Sequence, residues 1–491
     1  MYIGSQKLMQ EYDQRLLRKG YTIEALIDKA SDCLIKHMYC YEKVCLLCGP
    51  GNNGADGLSL AIKLYRANKE VTVFVFESNH SSTGHQFYLD LCYQNQIDVV
   101  VVNENQIDMI ISQMKNADLI VDGIFGFGQN ASPRGIYQTI IEEVNQLYDK
   151  DVISIDIPTG LDCNTGIPYQ SVICATKTIT LTAMKNGFLN PDSLSFTGEI
   201  IVEELAVEDI YDEVGLYQLV DMEFVKPLIK HRSFDGHKGT YGRVGMITGS
   251  LEYKGAALLS SKSAVYTGTG ITTVVSTSEV IDVLTLYCPE VTVALRPPIL
   301  QENDFKSYDS LLIGCGLGLG IDAYRYVIDT LSLSKQPLVI DADALTILSS
   351  NLELLKKQQR EIVLTPHMGE FKRLCNFSAD DDIIYVAREF AREHHVTLVL
   401  KGPYTIVTNG SESYRIKAGN EAMASGGMGD VLAGIITSLL GQGYSAIIAA
   451  IVGVYLHGYT GDQIAKTHYT VVPSLLIDRI PVSMKELIKN I

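Results

Sequence analysis

The apolar positions of the chain change period several times, and those changes divide it into elements. From Tyr2 to Tyr41 they recur at helical spacing, at Leu8, Tyr12 and Leu16 and again at Ile23, Leu26 and Ile27, which predicts helices with Gly20 ending the first. A short continuous run, Val44 to Cys48, then enters GPGNNGADG and the helix-like LSLAIKLYRANK, so a strand, a glycine turn and a helix follow in order. Runs at 71–76, 99–102, 117–122 and 151–156 read as further strands, and the segments 83–96 and 133–147 between them as helices. Such alternation implies a doubly wound, three-layer α/β domain. TITLTA and GEIIVEEL supply its last strands, and the acidic passage from Tyr211 to Tyr217 is the expected linker, which gives a first domain over 1–215.

Beyond the linker the pattern restarts, giving a second α/β domain over 225–491. HKGTYGRVGMITGS reads as a turn and a strand, and GAALLSSKSAVYTGTGITTVV as a small-residue helix and a strand. Further runs end at LLIGCGLGLG, PLVIDADAL, IVLTPHMGE and VTLVLKG, each closed by Gly, Asp or His, and KGPYTIVTNGSESYRIKAGN has the alternation and Asn-Gly turn of a hairpin. From Val431 the apolar positions 431, 432, 435, 436, 439 and 440 predict a helix with one buried face. The run Ala446 to Leu456 falls well short of the roughly 20 residues that span a bilayer and reads as a buried helix.

The stretch KAGNEAMASGGMGDVLAG carries the most specific chemistry. Gly426, Gly427 and Gly429 permit a turn whose amides converge on an anion at the start of the helix, and Asp430 stands beside that site. A carboxylate there repels the ligand the amides attract, so it fits a base that takes a proton from a hydroxyl while the amides hold a phosphoryl group in transit. The plainer alternative is a carboxylate that only complements the helix N-terminus, a contribution of about 0.3–1 kcal/mol. Lys401, at a strand end and followed by glycine, suits a nucleotide phosphate; a surface lysine is the bland alternative. His367, before a predicted helix, is either a cap or a ligand contact.

Charge narrows the partners. A net charge of -17 argues against nucleic acid and against an anionic membrane surface. The polar, helix-periodic start MYIGSQKLMQEYDQRLL lacks the apolar core of a signal peptide, so a cytoplasmic location is expected. The 10 cysteines are scattered, as reduced core residues would be. Cys45 and Cys48 form a CxxC, but within a strand their odd separation points them to opposite faces.

In the first half three apolar strands end in polar loops: GPGNNGADG, then GIFGFGQNASPRG after ADLIVD, then IPTGLD after DVISID. Open α/β sheets bind ligands beyond such carboxyl ends. GPGNNGADG, VDGIFGFG and SIDIPTGLD together resemble the NAD(P)H-hydrate epimerase family, which inverts the C6 hydroxyl of hydrated nicotinamide dinucleotides on a Rossmann-like domain. The resemblance implies that Asn52, Asn53, Gly54, Ala55 and Asp56, the loop Gly126, Phe127, Gly128, Gln129, Asn130, Ala131 and Ser132, and Asp156 contact the hydrate. It also implies that Asn53, Asp122 and Thr159 hold a potassium ion. Ala55 stands where the family usually has glycine. Asp156 is the candidate acid–base group with Asp122 as runner-up, since epimerisation at a carbinolamine carbon needs a proton acceptor and donor near the hydroxyl; both also fit as structural aspartates closing strand ends.

The second half, through HKG, YKGAALLSSKSA, GCGLG, DADAL, TPHMGE, KGPYT and SGGMGDVLAG, resembles the ADP- or ATP-dependent NAD(P)H-hydrate dehydratases of the ribokinase-like fold. Thr240, in HKGTYG, stands where the family usually has aspartate. The resemblance implies hydrate contacts at Ala256, Gly318 and His367, and adenine-nucleotide contacts at Lys401, Gly402, Pro403, Tyr404, Thr405 and Gly429. Asp430 would meet the reacting hydroxyl. The expected activity is bifunctional: epimerisation of NADHX and NADPHX, and dehydration of the S form at the expense of ADP with Mg2+, giving AMP and phosphate, in a homo-oligomer. A ribokinase-like kinase of a small alcohol is the competing enzyme reading, and a dinucleotide sensor without turnover is a third.

Overall fold

The computed structural model describes residues 1–76, 78, 80–378 and 381–489, so the expected end of the second domain at Ile491 lies outside the described residues. The chain divides into two compact units, Met1–Leu216 and Tyr217–Ile491. That division falls within the passage Tyr211 to Tyr217, which carries a short helix, Tyr211–Val214, with Tyr211 and Val214 buried, and the first residue of a strand.

In the first unit β1 is Tyr2–Gly4, β2 Lys43–Cys48, β3 Glu70–Val75, β4 Asp98–Val101, β5 Leu119–Gly123, β6 Asp151–Ile155, β7 Lys177–Leu181, β8 Met184–Lys185 and β9 Glu199–Glu203. The main sheet runs β4-β3-β2-β5-β6-β7-β9 and every pairing is parallel. One face packs on helices Ile23–Ile35, Asn52–Arg66 and Thr83–Gln94, the other on Ile107–Asn116 and Ile136–Asn145. A parallel sheet covered on both sides explains why its strands read as continuous apolar runs. Cys45 and Cys48 belong to the cores on opposite faces, as the strand period requires.

In the second unit β10 is Tyr217–Val220, β11 Arg243–Ile247, β12 Ile271–Ser276, β13 Thr292–Leu295, β14 Ser310–Ile313, β15 Leu338–Ile340, β16 Ile362–Leu364, β17 Thr397–Leu400, β18 Thr405–Thr408 and β19 Ser413–Ile416. The order is β13-β12-β11-β14-β15-β16-β17-β18-β19-β10, parallel through β17, with β18 and β19 forming the expected antiparallel hairpin. Helices Lys254–Thr267, Met428–Gly441, Ala446–Ala465 and Pro473–Lys489 build the larger core on one face. The helix Met428–Gly441 is buried on all sides from Val431 onward, not along one face, because it is clasped between neighbouring helices and the sheet. Gly434 makes that possible: a Cβ there would lie 2.1 Å from the Ser260 carbonyl oxygen. Among the described residues no helix is long and apolar enough to cross a membrane.

Candidate active sites

In the first unit the strand order reverses between β2 and β5, which opens a crevice beyond their carboxyl ends. A cavity of about 880 Å3 lies there, with apolar walls that include Met9, Leu17, Ile27 and Phe127 and polar groups from Asp13, Asn52, Asn53, Asp56 and Asp156. The turn that brings Asn52 and Asn53 to it needs glycine, since a Cβ on Gly54 would sit 1.8 Å from the Gly49 carbonyl oxygen and one on Gly49 1.9 Å from that of Ile124. Gly54 and Ala55 do not join the cavity wall. The Ala55 methyl group is buried in the core with Ile27 and Leu58, so alanine in place of glycine is accommodated away from the cavity. Every residue from Gly126 to Ser132 lines the cavity. Gln129 pins that loop: its Oε1 accepts from the Gly160 amide at 2.9 Å and its Nε2 donates to the Ala131 carbonyl at 2.8 Å.

Asp122, at the end of β5, is wholly buried and accepts from Ser154 Oγ at 2.8 Å, from the Thr159 amide at 2.8 Å and hydroxyl at 2.7 Å, and from the Ile124 amide at 3.2 Å. Burial raises its pKa and these donors oppose the rise. Asp122 therefore binds together the loops after β5 and β6, and it does not line the cavity, which favours Asp156 over it for proton transfer. The Asn53 amide nitrogen is buried without a hydrogen-bond partner among the described residues. Carboxylate, hydroxyl and amide oxygens from Asp122, Thr159 and Asn53 form the hard donor set an alkali cation takes, and a reoriented Asn53 amide would relieve its orphaned nitrogen.

Asp156 follows β6 with φ +67°, outside the range of an ordinary strand residue, so the chain turns and the side chain enters the cavity. Its Oδ1 accepts from the Leu181 amide at 3.2 Å and Thr180 Oγ1 at 3.3 Å, and it pairs with Lys185 Nζ at 2.5 Å. Lys185 is completely buried and donates also to Thr180 Oγ1 and to the carbonyls of Leu181 and Ala183. Two further carboxyls feel this pair. Burial, then Asp156, pushes Asp13 up to about 7, with Lys185 acting against them; burial, then Asp156 and Asp13, pushes Asp56 well above the usual carboxylate range.

In the second unit the reversal lies between β11 and β14. Asp430 stands in the first turn of Met428–Gly441, whose N-cap Gly427 has φ +92°, a value that glycine adopts without strain. Ligand atoms of Cys315, Asp341 and Asp430 lie within 4.8 Å of one another. Lys401 Nζ is 3.2 Å from Asp341 and 3.9 Å from Glu370, and a Cβ on Gly429 would be 3.2 Å from the same Nζ. Burial, then Asp341, pushes Asp430 up to about 6, with Cys315 and Lys401 opposing. Burial works against the Lys401 ammonium, yet Asp341 and Glu370 hold its pKa above the ordinary value. Asp430 is thus a partly buried carboxylate near a lysine and a glycine turn, an arrangement that suits a base.

The remaining predicted residues sit around this centre. Gly318, with φ +86°, donates its amide to Asp343 at 2.8 Å, and Ala256 lies in the helix Lys254–Thr267 close against Gly316. Gly402 and Pro403 are exposed after β17, and Thr405 Oγ1 donates to the Gly402 carbonyl at 3.2 Å. Tyr404 stacks beneath Arg415. His367 caps Met368–Leu374: its Nδ1 accepts from the Gly369 and Glu370 amides, and Glu370 returns the bond to the His367 amide. Its ring is 58% exposed, so capping does not remove it from the rim.

Residues 23–187 match the family described as YjeF-related protein N-terminus, and residues 244–482 the family described as NAD(P)H-hydrate dehydratase. The bifunctional NAD(P)H-hydrate repair enzyme Nnr of Moorella thermoacetica is 30% identical over 469 residues, covering 91% of this chain and 88% of that protein. That of Escherichia coli K12 is 32% identical over 431 residues, covering 86% and 80%. The chain belongs to the bifunctional NAD(P)H-hydrate repair enzymes. An Enterococcus faecalis ribokinase-like superfamily protein is similar to it at 30% identity and TM-score 0.51, over 55% of this chain and 96% of its own. A Bacillus subtilis ADP/ATP-dependent NAD(P)H-hydrate dehydratase co-crystallised with ATP/Mg2+ gives 28%, 0.50, 55% and 99%.

For a member of this repair family, the sequence motifs left out several groups that the fold supplies. Asp341 and Cys315 lie in DADAL and GCGLG with no role assigned to them there, and the carboxylate just after β15 was a usable signal. Lys185 follows an apolar strand, where a charged residue is itself unusual. Asp13 sits on a polar helical position next to Tyr12, and nothing local distinguishes it.

Proposed function

We infer that this protein restores hydrated nicotinamide dinucleotides, with the first unit interconverting R and S hydrates and the second dehydrating the S form. The observation that carries the dehydratase reading is Asp430, set at a glycine turn with Lys401 and Gly429 beside it. In this reading Asp430 takes the C6 hydroxyl proton as that oxygen attacks the terminal phosphorus of ADP. The turn amides and Lys401 hold the charge of the phosphoryl group in flight. AMP departs, the ring-nitrogen lone pair expels phosphate from C6, and loss of a proton from C5 restores the dihydronicotinamide. Mg2+ would accompany the nucleotide and neutralise phosphate charge, with the Asp341 carboxylate an oxygen ligand suited to it while Asp430 stays free to act as base. In the first unit Asn53, Asp122 and Thr159 would hold potassium, which would neutralise the buried Asp122 and fix the loops beyond β5 and β6. The enzyme is read as a cytoplasmic homo-oligomer.

Incubation with racemic hydrate and ADP tests this reading. The near-ultraviolet absorbance of the reduced nicotinamide should return with one free phosphate per turnover and with AMP. A stable phosphorylated alcohol in place of free phosphate would instead identify a kinase. ATP in a parallel incubation decides the donor, and light scattering decides the assembly.

A further inference from the structure

We propose that Asp13 is the second acid–base residue of the epimerase, working against Asp156 across the cavity of the first unit, with Lys185 as the residue that positions Asp156. The proposal rests on the epimerase reading and assigns a role to a residue that none of the motifs includes.

Three carboxyls, Asp13, Asp56 and Asp156, line one cavity, and they come from three elements: the helix Gln6–Arg18, the helix Asn52–Arg66 and the end of β6. Only Asp156 of the three is in direct contact with a lysine among the described residues: Lys185 Nζ lies 2.5 Å from it, and the other hydrogen bonds of Lys185 go to Thr180, Leu181 and Ala183. Among the described residues the Asp13 carboxyl takes part in no hydrogen bond or ion pair. Asp156 is thereby held by Lys185, and Asp13 faces the same cavity without a partner of its own among the described residues. Like-charged carboxyls sharing a site divide into an acid and a base. Asp13, pushed up to about 7, is matched to proton transfer near neutrality, while burial, then Asp156 and Asp13, raise Asp56 as well.

Inversion at C6 needs this pairing. Asp13 gives its proton to the C6 hydroxyl oxygen, the C6–O bond breaks, water leaves, and the ring-nitrogen lone pair closes an N1=C6 iminium. A water on the opposite face then forms the new C6–O bond as Asp156 takes its proton. One water is released and one is added, and no electrons are gained or lost. The reverse reaction runs with Asp156 as donor and Asp13 as acceptor, and proton exchange with solvent resets the pair. A donor and an acceptor on separate elements can flank a ring, which one loop cannot do. Burial and then Asp156 raise Asp13 while Lys185 lowers it; Asp56 and Arg134 share the cavity wall, and Asp56 and Tyr12 in turn feel the Asp13 charge.

The test uses the full chain and pure R hydrate without nucleotide, and follows conversion to S by chromatography. Wild type should epimerise, with kcat/KM falling on the alkaline side as Asp13 loses its proton near pH 7; failure here would sink the epimerase reading rather than the assignment. Asp13→Asn should lower kcat/KM by about 10²–10⁴-fold. The same preparation should dehydrate S hydrate with ADP at the wild-type rate. Asp13→Glu should recover part of the activity, with its alkaline limb displaced. An Asp13→Asn enzyme within about threefold of wild type overturns the proposal, because general acid catalysis contributes far more than that. Should Asp13→Asn not fold, Asp13→Glu decides, since an alkaline limb identical to wild type rules Asp13 out.

Discussion

Asp430 and Asp156 are both aspartates at element ends, yet their surroundings give them different tasks. Asp430 has a lysine nearby that is committed to Asp341, so burial raises it to about 6 and leaves a base poised for a hydroxyl proton. A base works deprotonated, so dehydratase kcat/KM should fall as pH drops below about 6, and the pH profile of the free enzyme reads that value directly. Asp430→Asn should cut dehydration by about 10²–10⁴-fold while ADP binding, followed by calorimetry, stays close to wild type. Asp156 is instead tied to a fully buried lysine. Lys185→Met would leave a buried carboxylate unpaired and should cost the first unit about 3–5 kcal/mol in denaturant unfolding, with slower epimerisation. Replacing a surface lysine such as Lys36, which is 59% exposed beside Glu203, should change stability by well under about 1 kcal/mol.

Each site depends on an element that glycine allows to approach its neighbour. The helix Met428–Gly441 holds Asp430 because its flank meets the helix Lys254–Thr267 at Gly434, where a Cβ would strike both the Ser260 carbonyl and the Ser263 hydroxyl at 2.1 Å. Gly434→Ala should therefore destabilise the second unit by about 1–3 kcal/mol, as overpacking does, with a lowered melting temperature and weakened dehydration. The amphipathic spacing from Val431 predicted the helix correctly and its surroundings incorrectly. Residues between the apolar positions are Ala, Gly, Thr and Ser, small enough to pack, and Thr437 satisfies its hydroxyl on the Ala433 carbonyl at 2.7 Å. Hydropathy period cannot distinguish such a face from a solvated one.

Taken whole, the chain carries two sheets, each with polar groups gathered at a reversal of strand order, and each unit is expected to act on its own ligand. Asp156→Asn should therefore abolish epimerisation and leave S dehydration intact. With racemic hydrate and ADP, that variant should consume the S fraction promptly and the R fraction only as fast as it inverts spontaneously, a biphasic absorbance trace. On the proposal that Asn53, Asp122 and Thr159 hold potassium, replacing potassium salts by those of a bulky organic cation should slow epimerisation alone, since those residues belong to the first unit. The net charge of -17 leaves both sites reliant on local amides and lysines for anionic ligands.

Short-range chemistry was legible along the chain. Apolar period marked most strands and helices, glycine spacing marked the turns, and a carboxylate beside a glycine turn marked Asp430, because each is a property of neighbouring residues. Tertiary structure alone decided what lies across a cavity. It put Lys185 on Asp156, brought Asp13 from the first helix to the same wall, turned Ala55 into the core, gave His367 a capping bond and closed small residues around the helix of Asp430. Those relations join segments far apart in sequence, and the energies that set them, burial and charge at short range, exist only once the chain has folded.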